Sequence, residues 1–257
     1  MGFVNPLLDA WANGGVVCSA WVSSGEPLIA SFLAGCGYDE VLADLQHGAI
    51  EMGHLPALFG AIEARGVPPA ARVPVNDPML IGRVLDMGAL SVMVPMVETR
   101  EEAERAVAAC RYPPQGRRSY GPLRSMTTMA TERPADLAQV ACIVQVETAL
   151  GLRNVAAIAA TPGLTGIFIG PADLALGMGL SWEDPSATDA REAAHRTVLD
   201  ACRREGIVPG IITPNGAAAA RRIEEGFRLV GVTSDISLII DGGVAELATA
   251  RAAAPGH

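Results

Sequence analysis

The 257-residue chain contains no lysine; its 19 basic residues are all arginine. Chemistry that begins on a lysine amine is therefore closed to it. A Schiff-base aldolase, a pyridoxal phosphate enzyme on its own lysine and a Walker-type ATPase each need that amine. Basic runs are absent too, and the net charge of −9 argues against nucleic acid and anionic membranes as partners. No stretch of ~18 uninterrupted apolar residues offers a membrane span. The start, Met1-Gly2-Phe3-Val4-Asn5-Pro6, lacks the basic lead and apolar core of a signal peptide, so a cytoplasmic location is expected. No Gly-x-Gly-x-x-Gly opens a helix after the first strand, and no organic cofactor is expected. The five cysteines (18, 36, 110, 142 and 202) are odd in number and lack metal-type spacing. They are expected to be buried free thiols in a reducing compartment.

Half of the residues are hydrophobic, enough for one large core. Short apolar runs read as buried strands, each followed by a helical pattern. After a short helix at 5–11, strands are expected at 16–22, 38–45, 70–74, 91–95, 141–146, 166–169, 208–213 and 228–232. Helices are expected at 27–34, 55–64, 77–86, 100–110, through Ala160, at 192–205, 217–225 and 244–253. Asp77-Pro78 and Thr99 with Glu102 supply start signals. A long polar loop, Arg111 to Thr131, interrupts the alternation, and loops of that length are usually functional or mobile. Eight βα units without a linker-like shift in composition predict one α/β domain over residues 1–257. The expected architecture is a (β/α)8 TIM barrel, with a doubly wound open sheet as the alternative.

In a barrel, function lies at the C-terminal ends of the strands. Those ends carry Asp44 and His47, Arg72, Glu147 and Asp173. Glu147 follows Gln145-Val146, and Asp173 follows Gly170-Pro171-Ala172. Two carboxylates in successive units can share Mg²⁺ or Mn²⁺, with water and substrate completing the shell; Co²⁺ or another divalent ion also suits them. Alternatively, each caps its own helix. His47 has a side chain suited to proton transfer, with Asp44 available to orient it; a capping or core histidine is the plainer role. Arg72, in an apolar strand, needs an anion, either a structural carboxylate or a substrate oxygen. Asp86, on a helix, reads as a surface or capping residue. Arg117, Arg118 and Arg124 read either as a solvated loop or as a lid holding a distal carboxylate.

Taken together, Asp44-Leu45-Gln46-His47-Gly48, Ala71-Arg72-Val73-Pro74, Leu85-Asp86-Met87-Gly88-Ala89, Tyr112-Pro113-Pro114 through Gly116-Arg117-Arg118, Gln145-Val146-Glu147-Thr148 and Gly170-Pro171-Ala172-Asp173-Leu174 resemble a known family. They are similar, in order, to the class II pyruvate aldolases that include 4-hydroxy-2-oxoheptanedioate and 2-dehydro-3-deoxyglucarate aldolases. The wider superfamily takes in citrate lyase β subunits. The resemblance implies that Glu147 and Asp173 ligate a divalent metal and that Arg72 contacts the keto oxygen. It implies an acid–base role for His47 with Asp44, and a supporting or intersubunit role for Asp86. Gln145 and the segment Gly170, Pro171, Ala172 and Asp173 would line the 2-oxo acid site. The implied partners are a small 2-oxo acid, an aldehyde and further copies of the chain, in a hexamer whose last helix packs on a neighbour. Many family members have Glu where this chain has Gln46, which removes one charge beside the base.

The expected activity is metal-dependent, reversible aldol cleavage of a 4-hydroxy-2-oxo acid. The absence of lysine fits, because a metal can replace the Schiff base. Rival expectations are an oxaloacetate-type decarboxylase with the same metal chemistry, or a non-catalytic barrel that binds a metabolite.

Overall fold

The computed structural model describes residues 2–181 and 184–252. Its elements run α1 (Pro6–Ala12), β1 (Val17–Val22), α2 (Pro27–Ala34), β2 (Glu40–Asp44), α3 (Leu55–Glu63), β3 (Pro69–Arg72), α4 (Pro78–Asp86) and β4 (Ser91–Val94). Next come α5 (Arg100–Cys110), α6 (Leu123–Thr128), α7 (Pro134–Leu137), β5 (Ala141–Val146), α8 (Ala149–Arg153), α9 (Val155–Ala159) and β6 (Gly166–Ile169). The chain continues through α10 (Pro171–Gly177), α11 (Thr188–Glu205), β7 (Val208–Ile212), α12 (Gly216–Glu225), β8 (Leu229–Ser234) and α13 (Asp235–Ala252). All strands pair in parallel, in the order β1 to β8, and β8 closes on β1. The closed (β/α)8 barrel is therefore the fold, and the open sheet is excluded.

Side chains alternate across a strand, so each strand serves two cores. Val41, Ala43, Ala71, Val92, Val94, Val144, Ile167 and Ile169 face outward against the helices. Trp21, Leu42, Ala70, Met93, Ile143, Phe168 and Leu229 fill the barrel. Continuing the inward parity upward gives Asp44, Arg72, Gln145, Glu147 and Gly170 at the C-terminal mouth. The helix-facing parity is almost wholly apolar, and each fully buried Leu, Ile or Phe contributes ~1.5–3 kcal/mol. Turning β2 or β5 over would bury carboxylates under helices, so hydrophobic burial also decides which residues reach the mouth.

The opposite end is closed by α1. Asn5 caps that helix by accepting from the Leu7 amide, and its Nδ2 donates to the carbonyls of Leu90 and Gln139. Leu7 enters the inner core.

Three expectations need correction. The final helix begins at Asp235, well before Val244, because Ser234 and Asp235 cap it and Gly242-Gly243 is carried inside it. The 111–131 segment is not wholly loop, since α6 lies within it. Of the cysteines, Cys110, Cys142 and Cys202 are buried, but Cys18 is half-buried and Cys36 exposed, all as free thiols. Among the described residues, no helix is long and apolar enough to cross a membrane.

Candidate active site

Asp44 and Arg72 end β2 and β3 at directly paired positions. Arg72 Nε donates to Asp44 Oδ1 at 2.9 Å and Nη2 to Oδ2 at 2.6 Å, a two-pronged pair with both residues buried. The guanidinium carbon lies 4.6 Å from the centroid of the Trp21 ring, which itself rests against Phe168. A planar, delocalised cation suits such stacking. Two of its five N–H donors serve Asp44. Arg72 thus has the structural carboxylate that the sequence left open, and keeps donors for another oxygen.

Glu147 follows β5 and is 2% exposed. Its Oε1 accepts the Met96 amide at 2.9 Å. Met96 adopts a left-handed conformation (φ 55°), unusual for a residue with a side chain, and the Val97 amide beside it bonds to the Gln145 carbonyl. The β4–α5 turn is thereby knit onto the β5 end. Among the described residues, Glu147 Oε2 is buried with no hydrogen-bond partner, as is Gln145 Oε1. Burial pushes the Glu147 carboxyl up to about 7; the Met96 amide opposes this, nearby Asp173 adds to it and Arg72 opposes it. Gly170 makes room for the pair, since a Cβ there would overlap Glu147 Oε2 and sit 2.8 Å from Gln145 Nε2.

Neither carboxylate is the N-cap residue of its helix. Thr148 caps α8 by accepting from the Gly151 amide, and Gly170 occupies the cap of α10 without a side-chain bond. Asp173 stands in the first turn of α10, exposed, and its charge reaches Glu147. Orphaned oxygens on Glu147 and Gln145 beside a second carboxylate fit a small divalent cation. Among the described residues no group of three or more His, Cys, Asp or Glu forms a closed cage. Two carboxylates suit an ion that keeps waters and takes substrate oxygens.

His47 is exposed in the β2–α3 connection, and among the described residues its imidazole makes no hydrogen bond. The expectation that Asp44 orients the imidazole is corrected, because among the described residues its carboxylate bonds to Arg72 and to backbone amides and not to the ring. Asp44 Oδ1 does accept the backbone amides of Gln46 and His47, at 3.0 and 3.3 Å. It holds the His47 backbone, not its ring. Gln46 has a buried Oε1 without a partner.

Asp86 is not brought to this site. Helices of the barrel return antiparallel to the strands, so the end of α4 lies at the N-terminal face. There Asp86 accepts from Arg118 at 2.8 Å; Arg118 also donates to the Leu137 carbonyl and stacks on Tyr112. Arg124 pairs with Glu63 on the same face. The 111–131 segment connects a helix end to a strand start, so it is neither a lid over the mouth nor a merely solvated loop. Arg118 and Arg124 fasten the barrel floor.

Two residues at the mouth had no sequence signal of their own. Trp21 was hidden in an ordinary strand. Asp235 was missed because the last helix was expected to start later.

The sequence and the fold match known proteins. Residues 18–242 match the HpcH/HpaI aldolase/citrate lyase family. The chain is 35% identical to a hydroxypyruvate/pyruvate aldolase of Paraburkholderia phytofirmans, over 91% of this chain and 93% of that protein. It is 37% identical to a 4-hydroxy-2-oxovalerate aldolase of Rhodococcus jostii, over 92% of each. A crystal structure of a family protein from Burkholderia cenocepacia superposes with a TM-score of 0.88 at 34% identity, covering 96% of this chain and all of that one.

Proposed function

Because the chain belongs to the HpcH/HpaI aldolase/citrate lyase family and is an aldolase, we propose that it cleaves a 4-hydroxy-2-oxo acid reversibly, giving pyruvate or a close 2-oxo acid and an aldehyde, with a divalent metal. The observation that carries this reading is the buried, unpartnered Glu147 Oε2 beside Asp173 and the spare donors of Arg72.

Glu147 and Asp173 would hold Mg²⁺ or Mn²⁺. The bound cation supplies Lewis acidity at the keto oxygen and the carboxylate of the substrate. Gln145, Gly170, Pro171 and Ala172 line the 2-oxo acid. Breaking the C3–C4 bond leaves an electron pair that delocalises onto the C2 oxygen. Arg72, clamped by Asp44 and backed by Trp21, directs its remaining N–H donors to that oxygen, a preorganised stabilisation of charge that develops only in the transition state. His47 takes the C4 hydroxyl proton as the aldehyde forms and returns it in the synthetic direction, and in cleavage C3 takes a proton from water to complete the 2-oxo acid. Gln46, neutral where a carboxylate is common, leaves His47 without an adjacent anion.

We extend the proposal to assembly. Ile239, Ile240, Val244 and Leu247 on α13 are 51–64% exposed, and Leu28 and Phe32 on α2 are equally bare. Such a helix buries its apolar side chains against further copies of the chain. A homohexamer follows from the family resemblance.

The test is pyruvate release from a panel of 4-hydroxy-2-oxo acids before and after exhaustive chelation. Cleavage that collapses on chelation and returns with Mn²⁺ or Mg²⁺ is expected. Full cleavage after chelation would overturn the metal reading, and pyruvate release without an aldehyde would overturn the aldol reading.

A further inference from the structure

We propose that Asp235 is a positioning residue for His47, acting across the β8–β1 seam of the barrel; this rests on the aldolase reading above. Asp235 is 1% exposed, although it opens a helix whose remaining side chains are largely bare. Its carboxylate is not idle. Oδ1 accepts the Ser23 amide at 2.9 Å and Oδ2 the Ser24 amide at 3.0 Å, and Oδ1 also caps the Ile236 amide. Charge-assisted bonds of this kind are short and directional. They fix the first two residues after β1.

The clamp passes to the neighbouring connection. The Ser23 carbonyl accepts the Ala49 amide at 2.7 Å. Gly48 lies so close to this turn that a Cβ would overlap the Asp44 carbonyl oxygen and come within 3.0 Å of Ser23 Cα. The Gly48 amide itself bonds to that Asp44 carbonyl at 3.2 Å. His47 is therefore held on both sides. Asp44 takes its amide, and the residues that follow are pinned to Ser23, which Asp235 holds. Among the described residues the imidazole has no hydrogen bond of its own, so the backbone clamp is what aims it at the mouth.

The chain of contacts stops short of Glu147, which is held by Met96 from the other side of the barrel. Loss of Asp235 should thus disturb proton transfer at C4 and spare the binding of metal and 2-oxo acid. Asp235→Asn and Asp235→Ala test this in the full-length, metal-loaded protein. The probe for the binding half is oxalate with Mn²⁺, measured by calorimetry. The expected result for either variant is a tenfold or greater fall in kcat for aldol cleavage with oxalate and Mn²⁺ affinities within about twofold of the parent. Hydrogen–deuterium exchange should quicken in residues 45–50 of Asp235→Asn and stay unchanged in residues 141–148. An unchanged kcat would overturn the proposal. So would a parallel loss of kcat and oxalate binding, or unaltered exchange at 45–50. If the parent protein cleaves no 4-hydroxy-2-oxo acid, the aldolase reading fails by itself, and the exchange experiment still decides whether Asp235 holds the His47 segment.

Discussion

Arg72 and Asp44 occupy paired positions on adjacent strands and are joined by two hydrogen bonds inside the barrel mouth. Removing one member strands the other as a buried charge. Asp44→Ala should cost roughly 3–5 kcal/mol of stability in urea unfolding. Arg72→Lys keeps the charge but cannot reach Asp44 and the substrate oxygen with one fork. It should lower kcat/KM by about 10²-fold, as loss of an oxyanion donor does. A near-normal kcat/KM would remove Arg72 from the chemistry.

His47→Ala should reduce kcat by about 10²–10⁴, the usual reach of general acid–base catalysis. Oxalate affinity should be retained, since among the described residues no hydrogen bond joins the imidazole to the Glu147 side. Loss of both would mean that His47 shapes the binding half instead.

Metal binding can be read without turnover. Mn²⁺ should raise the melting temperature of the parent and leave Glu147→Ala and Asp173→Ala unmoved, because ligand that binds only the folded state stabilises it. Gly170→Ala should weaken the response too, by pressing a methyl group against Glu147 Oε2 and Gln145. Equal shifts in all four proteins would place the ion elsewhere.

Glu40 provides a pH signature far from the mouth. It is 1% exposed at the start of β2 and accepts from Ser19 at 2.9 Å. Burial pushes its carboxyl up to about 7 from 4.5, partly opposed by Ser19 and Ser91. The folded chain thus keeps a proton that the unfolded chain has lost between those values. Stability should fall as pH rises through this window and level off above it, by about 3 kcal/mol from this group. Glu147 contributes with the same sign in metal-free protein. Comparing Glu40→Gln with the parent under chelation at pH 5 and pH 8 isolates Glu40; the variant should show the smaller loss. Identical slopes would mean that Glu40 is ionised at both pH values.

Assembly should depend on α13. Placing charge on its bare apolar face with Ile240→Asp and Leu247→Asp should yield species near the 26.6 kDa chain mass by light scattering, where the parent forms a multiple. A parent that is already monomeric would remove the oligomer proposal.

The barrel was legible because each strand is a short apolar run bounded by turn residues, and strand ends found by pattern alone include Asp44, Arg72 and Glu147. What the sequence could not display was partnership. Asp44 sits three residues before His47, which suggests an orienting carboxylate, yet β-sheet register sets it against Arg72 and directs only its backbone grip to His47. Asp86 matches a family segment, but its helix runs back to the barrel floor. The face occupied by 111–131 was in principle readable, since any segment from helix end to strand start lies away from the mouth. Asp235 was out of reach, because its value comes from strand closure between residues some two hundred positions apart.

The connections around the mouth are unequal in length. On the carboxylate side, β5 passes to α8 through residues 147–148 and β6 to α10 through residue 170 alone. On the imidazole side, β1 passes to α2 through 23–26, and β2 leaves through 45–51 before its first helical turn. The β2 turn, which carries His47, is the longest at the rim and has the most room for insertions that leave the one- and two-residue turns beneath the carboxylates intact. Divergence in such a scaffold would retain the donor half and explore new acceptors, so adaptive change should concentrate in the longer turns.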